Sequence, residues 1–370
     1  MTRQKPTGVM EQIATIAVRA RILLLIALVA AVVTGILNAA GANAILTFVV
    51  AAAALATLAA LVGEATEQLG AYLGAGATGV LQSALGNLPE LFVGIFALRA
   101  GLVQVVQAAL VGSILGNSLL VLGLAFLIGG LRHGTQKFPA EAPRTMATLT
   151  LLAVAALVVP TLTAGLHTPA AGHEDILSIA GAVVLLAVFA ASIPVALAGG
   201  PNSVPRETMQ EIEAKERPWP LWLAIAILIG AGLGSALVSD WFVNALGPAI
   251  TALNISQAFT GLVVVALAGN AVENVVGIQL AARDKMDYAI SVILNSSLQV
   301  ALGLIPVLVL LSFVIAPTHL LLVLPALLVV ALGLAAGLGT VITYDGKSTW
   351  LEGLALIGLY CLLAVSFWWG

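Results

Sequence analysis

The chain has 370 residues, of which 61% are hydrophobic and only 8% are charged, and its mean hydropathy is +1.12. Because a soluble domain carries about 25% charged residues, this composition excludes a soluble protein and predicts an all-α polytopic membrane protein in a lipid bilayer. The net charge of −3 does not indicate a nucleic-acid partner, and the single cysteine, Cys361, excludes an internal disulfide. The four histidines lack the spacing of zinc ligands.

Apolar segments of about 18 or more residues, separated by Gly, Pro or charged residues, predict helices that cross a hydrocarbon layer of about 30 Å. About eleven such segments follow one another along the chain. They lie near residues 22–39, 44–63, 76–98, 104–130, 146–163, 175–198, 219–239, 256–281, 286–314, 320–341 and 350–369. The first segment could belong to a cleaved signal peptide, but it exceeds the core length of about 7–15 residues, so we expect an uncleaved helix.

The distribution of basic residues predicts the orientation, because cytoplasmic loops collect Lys and Arg. With a cytoplasmic N-terminus, thirteen of the fourteen basic residues fall on the cytoplasmic side, and only Arg99 falls outside. One missed or additional helix would invert every later loop, so this bias supports the predicted count. We expect an integral protein of a prokaryotic cell (inner) membrane, with its N-terminus in the cytoplasm and its C-terminus outside.

Three short motifs of the first half return in the same order in the second half. Gly-Asn-Leu-Pro-Glu at 86–90 returns as Gly-Asn-Ala-Val-Glu at 269–273, and Ile-Leu-Gly-Asn-Ser-Leu at 114–119 returns as Ile-Leu-Asn-Ser-Ser-Leu at 293–298. Upstream, Leu-Val-Gly-Glu at 61–64 resembles Leu-Val-Ser-Asp at 237–240. Each copy holds five predicted spans, an odd number, so the second copy enters the membrane from the opposite side.

The sequence therefore predicts one N-terminal helix followed by two inverted five-helix repeats. The predicted parts are an N-terminal tail and first helix at 1–42, a first repeat at 43–198, a cytoplasmic linker at 199–218 and a second repeat at 219–370. In transporters with such a duplication, the substrate binds near the bilayer midplane between the two halves.

Glu90 and Glu273 are the only acidic residues that fall deep within a predicted span. An ionised side chain at the centre of a helix costs roughly 2.5–3.5 kcal/mol on insertion scales, so a residue of this kind is a functional candidate. Counted along their helices, both lie about 12–14 Å from an interface, close to the midplane.

Each glutamate follows an asparagine by three residues. This spacing predicts that Asn87 lies on the same helix face as Glu90, and that Asn270 lies on the same face as its own glutamate. Gly86 and Gly269 loosen the helix, and Pro89 cannot donate a backbone hydrogen bond, which frees a carbonyl group. Irregular backbone at this depth occurs only where it faces protein or a cavity.

Carboxylate, amide and carbonyl oxygens are hard ligands and suit Ca²⁺, which takes 6–8 oxygens at about 2.3–2.6 Å. When the cation leaves, two carboxylates remain close together in a poor dielectric, and both conditions favour their protonation. Such a site holds either Ca²⁺ or protons, as an exchanger requires. The pattern predicts Ca²⁺ and H⁺ as transported ions and no permanently bound cofactor. The alternative is that the two glutamates only form buried hydrogen bonds to neighbouring amides.

Other polar residues are candidates for supporting roles. Possible secondary ligands are Ser113, Asn117, Ser118, Ser296, Ser297 and Gln299. Buried Ser and Asn side chains in membrane helices also commonly bond a neighbouring helix instead. Glu64 and Glu67, at the cytoplasmic end of a predicted span, and Asp240, at the outer end of another, are candidates for recruiting cations, or are simply solvated.

These motifs resemble those of the calcium/proton exchanger (CAX) family of the Ca²⁺/cation antiporter superfamily. The resemblance covers nearly the whole chain and includes Gly-Glu-Ala-Thr-Glu at 63–67, Gly-Ser-Ile-Leu at 112–115 and Ser-Ser-Leu-Gln at 296–299, besides the two glutamate motifs. It implies a one-plus-five-plus-five helix fold in which the two repeat glutamates bind Ca²⁺ and protons alternately, and a protein that can form homo-oligomers. The chain departs from the family at Asn274, where His is common, and at Asn295, where Gly is common.

We expect a secondary antiporter that exchanges Ca²⁺ for H⁺ by alternating access. The nearest alternative is the sodium/calcium exchanger branch, which typically has further acidic residues on the helices after the motif helices. Here those helices carry Asn117 and Ser296 and no central acid, which favours protons over sodium. Neither a pair of buried Asp residues nor a His-Glu-x-x-His helix is present for intramembrane proteolysis, and titratable midplane acids suit alternating access better than a passive channel.

Overall fold

The computed structural model describes residues 18–73, 81–82, 84–197 and 219–369, so the predicted linker at 199–218 lies outside the described residues. The described chain is mostly helical. Its helices are α1 (Val18–Ala39), α2 (Ala44–Leu73), α3 (Leu88–Arg99), α4 (Val103–His133), α5 (Glu141–Gly165), α6 (Glu174–Leu197), α7 (Leu221–Leu253), α8 (Gln257–Gly269), α9 (Ala271–Ala281), α10 (Met286–Ile315), α11 (Ala326–Ile342) and α12 (Trp350–Ser366). Two short strands, β1 (Gln136–Lys137) and β2 (Lys347–Ser348), form an antiparallel ribbon.

Length and apolarity allow many of these helices to cross a membrane. Among the described residues, seven helices meet both conditions, and the bent pair of α8 and α9 makes an eighth. The helices α11 and α12 are apolar but have only 17 residues each, and α3 has 12. The predicted total of eleven spans therefore stays a prediction.

Two helices continue well beyond the predicted spans. α2 has 30 residues and α7 has 33, which at 1.5 Å per residue gives lengths of about 45 and 50 Å. The prediction that Glu64, Glu67 and Asp240 lie at the ends of membrane spans stays a prediction, but the helices themselves continue past these residues. Glu64 precedes nine further residues of α2, and Asp240 precedes thirteen of α7. A helix satisfies its own backbone groups, so it can continue past the apolar segment that the composition marks.

The helices break at both glutamate motifs. Asn87 is the residue before α3 and Asn270 the residue before α9, and the chain bends by 69° between α8 and α9. Each asparagine thus occupies the N-cap position of the next helix and does not lie inside one continuous helix with its glutamate, as the i, i+3 spacing had assumed. Glu90 and Glu273 fall in the first turns of α3 and α9, where the helix dipole favours a negative charge. Pro89 fits the same first turn, where its missing N–H has no helical partner to lose.

Three helices contain a wide π-helical turn. These turns span Gly116–Val121 in α4, Thr260–Val265 in α8 and Val300–Leu304 in α10. Single π-helical turns inside α-helices occur frequently at functional sites. The turn in α4 includes two of the predicted secondary ligands, Asn117 and Ser118, and the turn in α10 follows directly after Gln299.

The predicted span at 320–341 was wrong in its first third, because residues 320–325 are extended and α11 begins only at Ala326. Pro325 disfavours helical backbone in the residue before it. The extended segment 320–325 is apolar and largely buried, with Leu320, Leu322 and Leu324 packed into the core. At 17 residues, about 26 Å, α11 is shorter than the hydrocarbon layer, and the extended segment continues the chain beyond it.

Side chains from four helices satisfy the backbone of the extended segment 320–325. Gln107 of α4 donates to the carbonyls of Leu321 and Val323, Thr161 of α5 donates to Leu322 O and accepts from Leu324 N, Ser178 of α6 accepts from Leu322 N, and Ser312 of α10 accepts from Leu320 N, at distances of 2.9 to 3.1 Å. Non-helical backbone inside a membrane protein is stable only with such partners.

Candidate cation and proton site

Glu90 is buried at the start of α3 and is held by residues of both halves of the chain. Its Oε1 accepts hydrogen bonds from Ser113 Oγ at 2.8 Å and from Asn270 Nδ2 at 2.5 Å. Asn270 Nδ2 also lies 3.0 Å from Ser113 Oγ, so the three side chains form one polar cluster. The other carboxylate oxygen, Oε2, is buried without a hydrogen-bond partner in the part of the chain that the structure describes. Burying a carboxylate oxygen without a partner is costly, and a bound cation or proton removes that cost.

The two glutamate motifs interlock. A Cβ atom on Gly269 would lie 2.6 Å from Glu90 Oε1, and a Cβ on Gly86 would lie 3.6 Å from Glu273 Oε1. Each glutamate thus packs against the glycine of the opposite motif, and Gly269 leaves no room for a side chain. The absence of a side chain there lets the carboxylate lie directly against the broken backbone of α8 and α9.

Glu273 has a different environment from Glu90. It is only partly buried, and its carboxylate hydrogen-bonds with no other side chain among the described residues. The next residue, Asn274, has a buried Oδ1 without a hydrogen-bond partner in the same described set. Asn87, at the break before α3, makes no side-chain cap to that helix. The asparagine that bonds a glutamate here does so across the motifs, from Asn270 to Glu90.

Further polar residues connect this cluster to the centre of the molecule. Asn117 Nδ2 donates to Ser296 Oγ at 2.9 Å, and Ser296 Oγ donates to Asn270 Oδ1 at 3.3 Å. Ser118 Oγ and Ser297 Oγ lie 3.3 Å apart. Five of the six predicted secondary ligands, Ser113 included, therefore form hydrogen bonds either within one half of the chain or between the two halves. Gln299 lies one residue before the wide turn of α10.

The acidic residues predicted at the entrances lie along the long helices. Leu55 of α2 borders Glu90, and Glu64 lies nine residues farther along α2, about 14 Å away along the helix axis. Glu64 Oε1 accepts from Gln68 Nε2 at 3.1 Å, and Glu67 lies one turn beyond Glu64. On α7, Asp240 Oδ2 accepts from Asn244 Nδ2 at 3.4 Å.

A small cavity lies beside Glu90 that the sequence did not indicate. It has a volume of about 10 Å³ and is lined by Leu55, Pro89, Glu90, Val93, Phe242, Val265, Ala268 and Gly269. Apart from the carboxylate, the lining side chains are apolar. Sequence reasoning followed polar residues and so had no signal for these apolar neighbours.

The donor set fits a hard cation as a transported ion. Among the described residues, no group of three or more His, Cys, Asp or Glu side chains could hold a metal ion. The charged groups of the candidate site are therefore the carboxylates of Glu90 and Glu273. Near Glu90 lie the hydroxyl oxygen of Ser113 and the amide of Asn270, whose Oδ1 accepts from Ser296 Oγ. Oxygen ligands of mixed charge suit Ca²⁺ better than a zinc-like ion.

The sequence matches the family model described as sodium/calcium exchanger protein over residues 43–197 and 223–369. The chain belongs to this family. The Ca²⁺/H⁺ antiporter of Synechocystis sp. is 35% identical over 346 residues, which cover 86% of this chain and 90% of that protein. The Ca²⁺/H⁺ antiporter of Aphanothece halophytica is 35% identical over 335 residues, covering 86% and 89%. The family resemblance predicted from the motifs is confirmed.

A solved structure of a member of this family shares the fold. The structure of native YfkE, a Ca²⁺/H⁺ antiporter protein, has a TM-score of 0.79 and 29% sequence identity, and the match covers 94% of this chain and 99% of that one. Family membership and the apolar helices together make this chain an integral membrane protein.

Proposed function

We propose that this protein is a secondary antiporter that exchanges Ca²⁺ for H⁺ across a membrane by alternating access. The observation that carries the proposal is the interlocking of the two glutamate motifs, in which Glu90 accepts a hydrogen bond from Asn270 of the other half and keeps one oxygen without a partner. The two antiporters that are 35% identical over most of their length support the same activity. Relatives of this kind are transporters, so we propose no enzymatic activity and no resident cofactor.

In the proposed mechanism, Ca²⁺ and protons compete for the same oxygens. With Ca²⁺ bound, Glu90, Glu273 and the nearby amide and hydroxyl oxygens supply hard ligands. After Ca²⁺ leaves, the carboxylates remain in a poorly hydrated site, and protons neutralise them. Because the site cannot hold both ions fully, one gradient drives the other ion in the opposite direction.

We further propose the layout of one helix plus two inverted five-helix repeats, with about eleven spans. Residues at equivalent positions of the two halves touch one another: Asn117 bonds Ser296 and Ser118 meets Ser297, both 179 residues apart. Contacts between equivalent residues occur where a twofold axis passes. The match of one family model to residues 43–197 and 223–369 supports the same division. Homo-oligomers remain a prediction from the resemblance.

Exchange of Na⁺ for Ca²⁺ is the alternative within this family. In the structure, the central polar positions of α4 and α10 are Asn117 and Ser296, which bond each other and carry no charge. A site for several sodium ions would gain from further acidic ligands there, so the donor set favours protons.

We place the protein in a prokaryotic inner membrane with a cytoplasmic N-terminus, on the basis of the Lys and Arg distribution. Inverted membrane vesicles then expose the cytoplasmic side to the medium. An acidic lumen should drive Ca²⁺ uptake into such vesicles, because protons leave as Ca²⁺ enters.

The test compares uptake by the wild-type protein with that of single carboxylate variants. We expect Glu90→Gln and Glu273→Gln to abolish pH-driven Ca²⁺ uptake, because an amide neither binds Ca²⁺ as strongly nor exchanges a proton. Glu64→Gln should only weaken uptake, and Glu141→Gln, at the exposed start of α5, is the matched control that should retain it. Normal uptake by either central variant, with similar amounts of folded protein, would remove that glutamate from the site.

A further inference from the structure

Two phenylalanine rings from different halves of the chain stack beside Glu90. Phe48 of α2 and Phe242 of α7 have ring centroids 5.0 Å apart and ring planes 20° apart. Both side chains are buried, and Phe242 is completely inaccessible to solvent. Phe242 also lines the cavity beside Glu90, and Phe48 stacks on the Phe242 ring without lining the cavity itself.

The cavity is unsuited to water. Its volume of about 10 Å³ is at the lower limit for one water molecule, which needs roughly 10–15 Å³. A water there would meet the carboxylate of Glu90 but otherwise apolar side chains, among them Leu55, Val93 and Val265. Water needs two to four polar partners to stay in such a place. In this conformation the apolar lining thus separates the unpartnered Oε2 of Glu90 from solvent on this side.

These apolar residues lie on one side of the bilayer relative to Glu90. Val93 lies three residues from Glu90 toward Arg99, where α3 ends, and Phe48 lies four residues after the start of α2. Val265 likewise precedes the break at Asn270 and lies toward the start of α8. In the proposed orientation this is the outer side, since Arg99 is the basic residue that falls outside.

The corresponding positions on the inner side carry small residues. An offset of 176 residues relates the Leu-Val-Gly-Glu and Leu-Val-Ser-Asp motifs, and the same offset separates Leu58 from Gly234, which are in contact. By this offset, Phe48 corresponds to Ala224 and Phe242 to Thr66. Both small residues are buried. At these two pairs of equivalent positions, aromatic rings thus occur on the outer side and smaller side chains on the inner side.

We propose that Phe48 and Phe242, with Leu55 and Val93 beneath them, form a hydrophobic gate that closes the outer route to Glu90. This inference rests on the proposed function, because it assigns the gate to the route by which Glu90 meets the outer solution. Hydrophobic constrictions close such routes by excluding water, without any charged latch. The two rings belong to α2 and α7, so a change in the packing of these helices separates the rings and hydrates the cavity.

Thiol labelling tests the gate without measuring transport. In a background with Cys361→Ser, which removes the only cysteine, Val93→Cys places a thiol in the gate. A membrane-impermeant maleimide is then applied to right-side-out or inverted vesicles. With both rings present, we expect slow labelling from the outer side. Adding Phe242→Ala should raise that rate roughly tenfold or more. A tenfold change in rate corresponds to a smaller free energy than the packing free energy that a buried Phe side chain contributes.

Three further variants keep the test decisive. Phe242→Leu retains apolar bulk and should keep the thiol protected. Phe259→Ala removes a ring that contacts Trp368 edge-to-face, with centroids 4.6 Å apart, on the same side of the bilayer. This ring does not line the cavity, so its loss should not change labelling. Phe48→Ala should act like Phe242→Ala and serves if the latter does not fold.

The gate is overturned if outer labelling stays slow in both Phe242→Ala and Phe48→Ala, or rises as much in Phe259→Ala. A faster rate from the cytoplasmic side instead would also overturn the assignment to the outer route. Because labelling does not depend on Ca²⁺ or proton binding, normal transport by Glu90→Gln would refute the proposed site and leave a positive labelling result standing.

Discussion

Glu90 and Glu273 occupy equivalent positions in the two motifs but have different partners. Ser113 donates a hydrogen bond to Glu90, whereas the residue 179 positions later, where the equivalent partner of Glu273 would lie, is Val292. Glu90 is buried and fixed by two donors, and Glu273 is only partly buried. The two carboxylates are therefore not interchangeable, although the motifs around them are nearly the same.

Ser113→Ala should weaken Ca²⁺ binding without abolishing transport. The substitution removes one of two hydrogen bonds to Glu90 Oε1 and one contact of Asn270. A hydrogen bond to a charged group contributes about 1.5–3 kcal/mol, so the apparent Ca²⁺ affinity should fall by roughly ten- to a hundredfold. The concentration dependence of Ca²⁺ uptake into vesicles measures this change.

The control for Ser113→Ala is the equivalent position in the other half. Val292→Ala alters no polar contact of the site, so it should leave the apparent affinity close to that of the wild type. Ser113→Thr keeps the hydroxyl and should retain most of the affinity. Equal affinities of Ser113→Ala and the wild type would show that the bond to Glu90 does not contribute to Ca²⁺ binding.

The identity of the two glutamates was predictable from sequence, but their partners were not. An acid deep in an apolar segment is costly, and that cost singles out Glu90 and Glu273 without any structure. The pairing of Asn270 with Glu90 depends on how two distant helices meet. Reasoning along one helix placed each asparagine on the same face as its own glutamate and gave no sign of the bond between the two motifs.

At the scale of the helices, apolar composition predicted where most segments lie and missed how some of them are built. The predicted spans at 286–314 and 146–163 agree closely with α10 and α5. The long α2 and α7 extend beyond their predicted apolar segments, because a helix can carry polar residues outside the hydrocarbon layer. The extended segment 320–325 has a sequence as apolar as a helix, and only its side-chain partners on four other helices explain its shape.

Thr161→Val should destabilise the protein through the extended segment 320–325. Thr161 Oγ1 both donates to Leu322 O at 3.0 Å and accepts from Leu324 N at 2.9 Å, so the isosteric substitution leaves two backbone groups without this partner. An unsatisfied buried polar group costs about 1–3 kcal/mol. We expect a lower thermal unfolding temperature, by several degrees, for the detergent-solubilised protein.

Thr163→Val is the matched control, two residues along the same helix. Its hydroxyl bonds only the carbonyl of Pro160 in its own helix at 2.8 Å, so its loss should change the unfolding temperature little. Equal decreases in unfolding temperature for Thr161→Val and Thr163→Val would contradict this prediction. The bonds from Thr161 to the extended segment would then stabilise the protein no more than the bond of Thr163 within its own helix.

At the scale of the whole molecule, the proposed duplication would explain why the proposed site lies between the two halves. Equivalent residues meet at Asn117 and Ser296, and again at Leu58 and Gly234, as the proposed twofold layout requires. A twofold arrangement brings the first glutamate motif against the second. The recurrence of three motifs in sequence predicted the duplication, whereas the stacked Phe48 and Phe242 break its symmetry with residues that no motif contains.

Labelling of two exposed loops tests the orientation of the whole molecule. Thr135 and His173 are exposed in the connections on either side of α5, so they lie on opposite sides of the bilayer if this helix crosses it. The connection with Thr135 also carries Lys137, and that with His173 carries no Lys or Arg, which predicts that Thr135 is cytoplasmic. In a Cys361→Ser background, an impermeant maleimide should label His173→Cys in intact cells and Thr135→Cys only after permeabilisation. The reverse pattern would invert the proposed orientation, and labelling of both in intact cells would show that α5 does not cross the membrane.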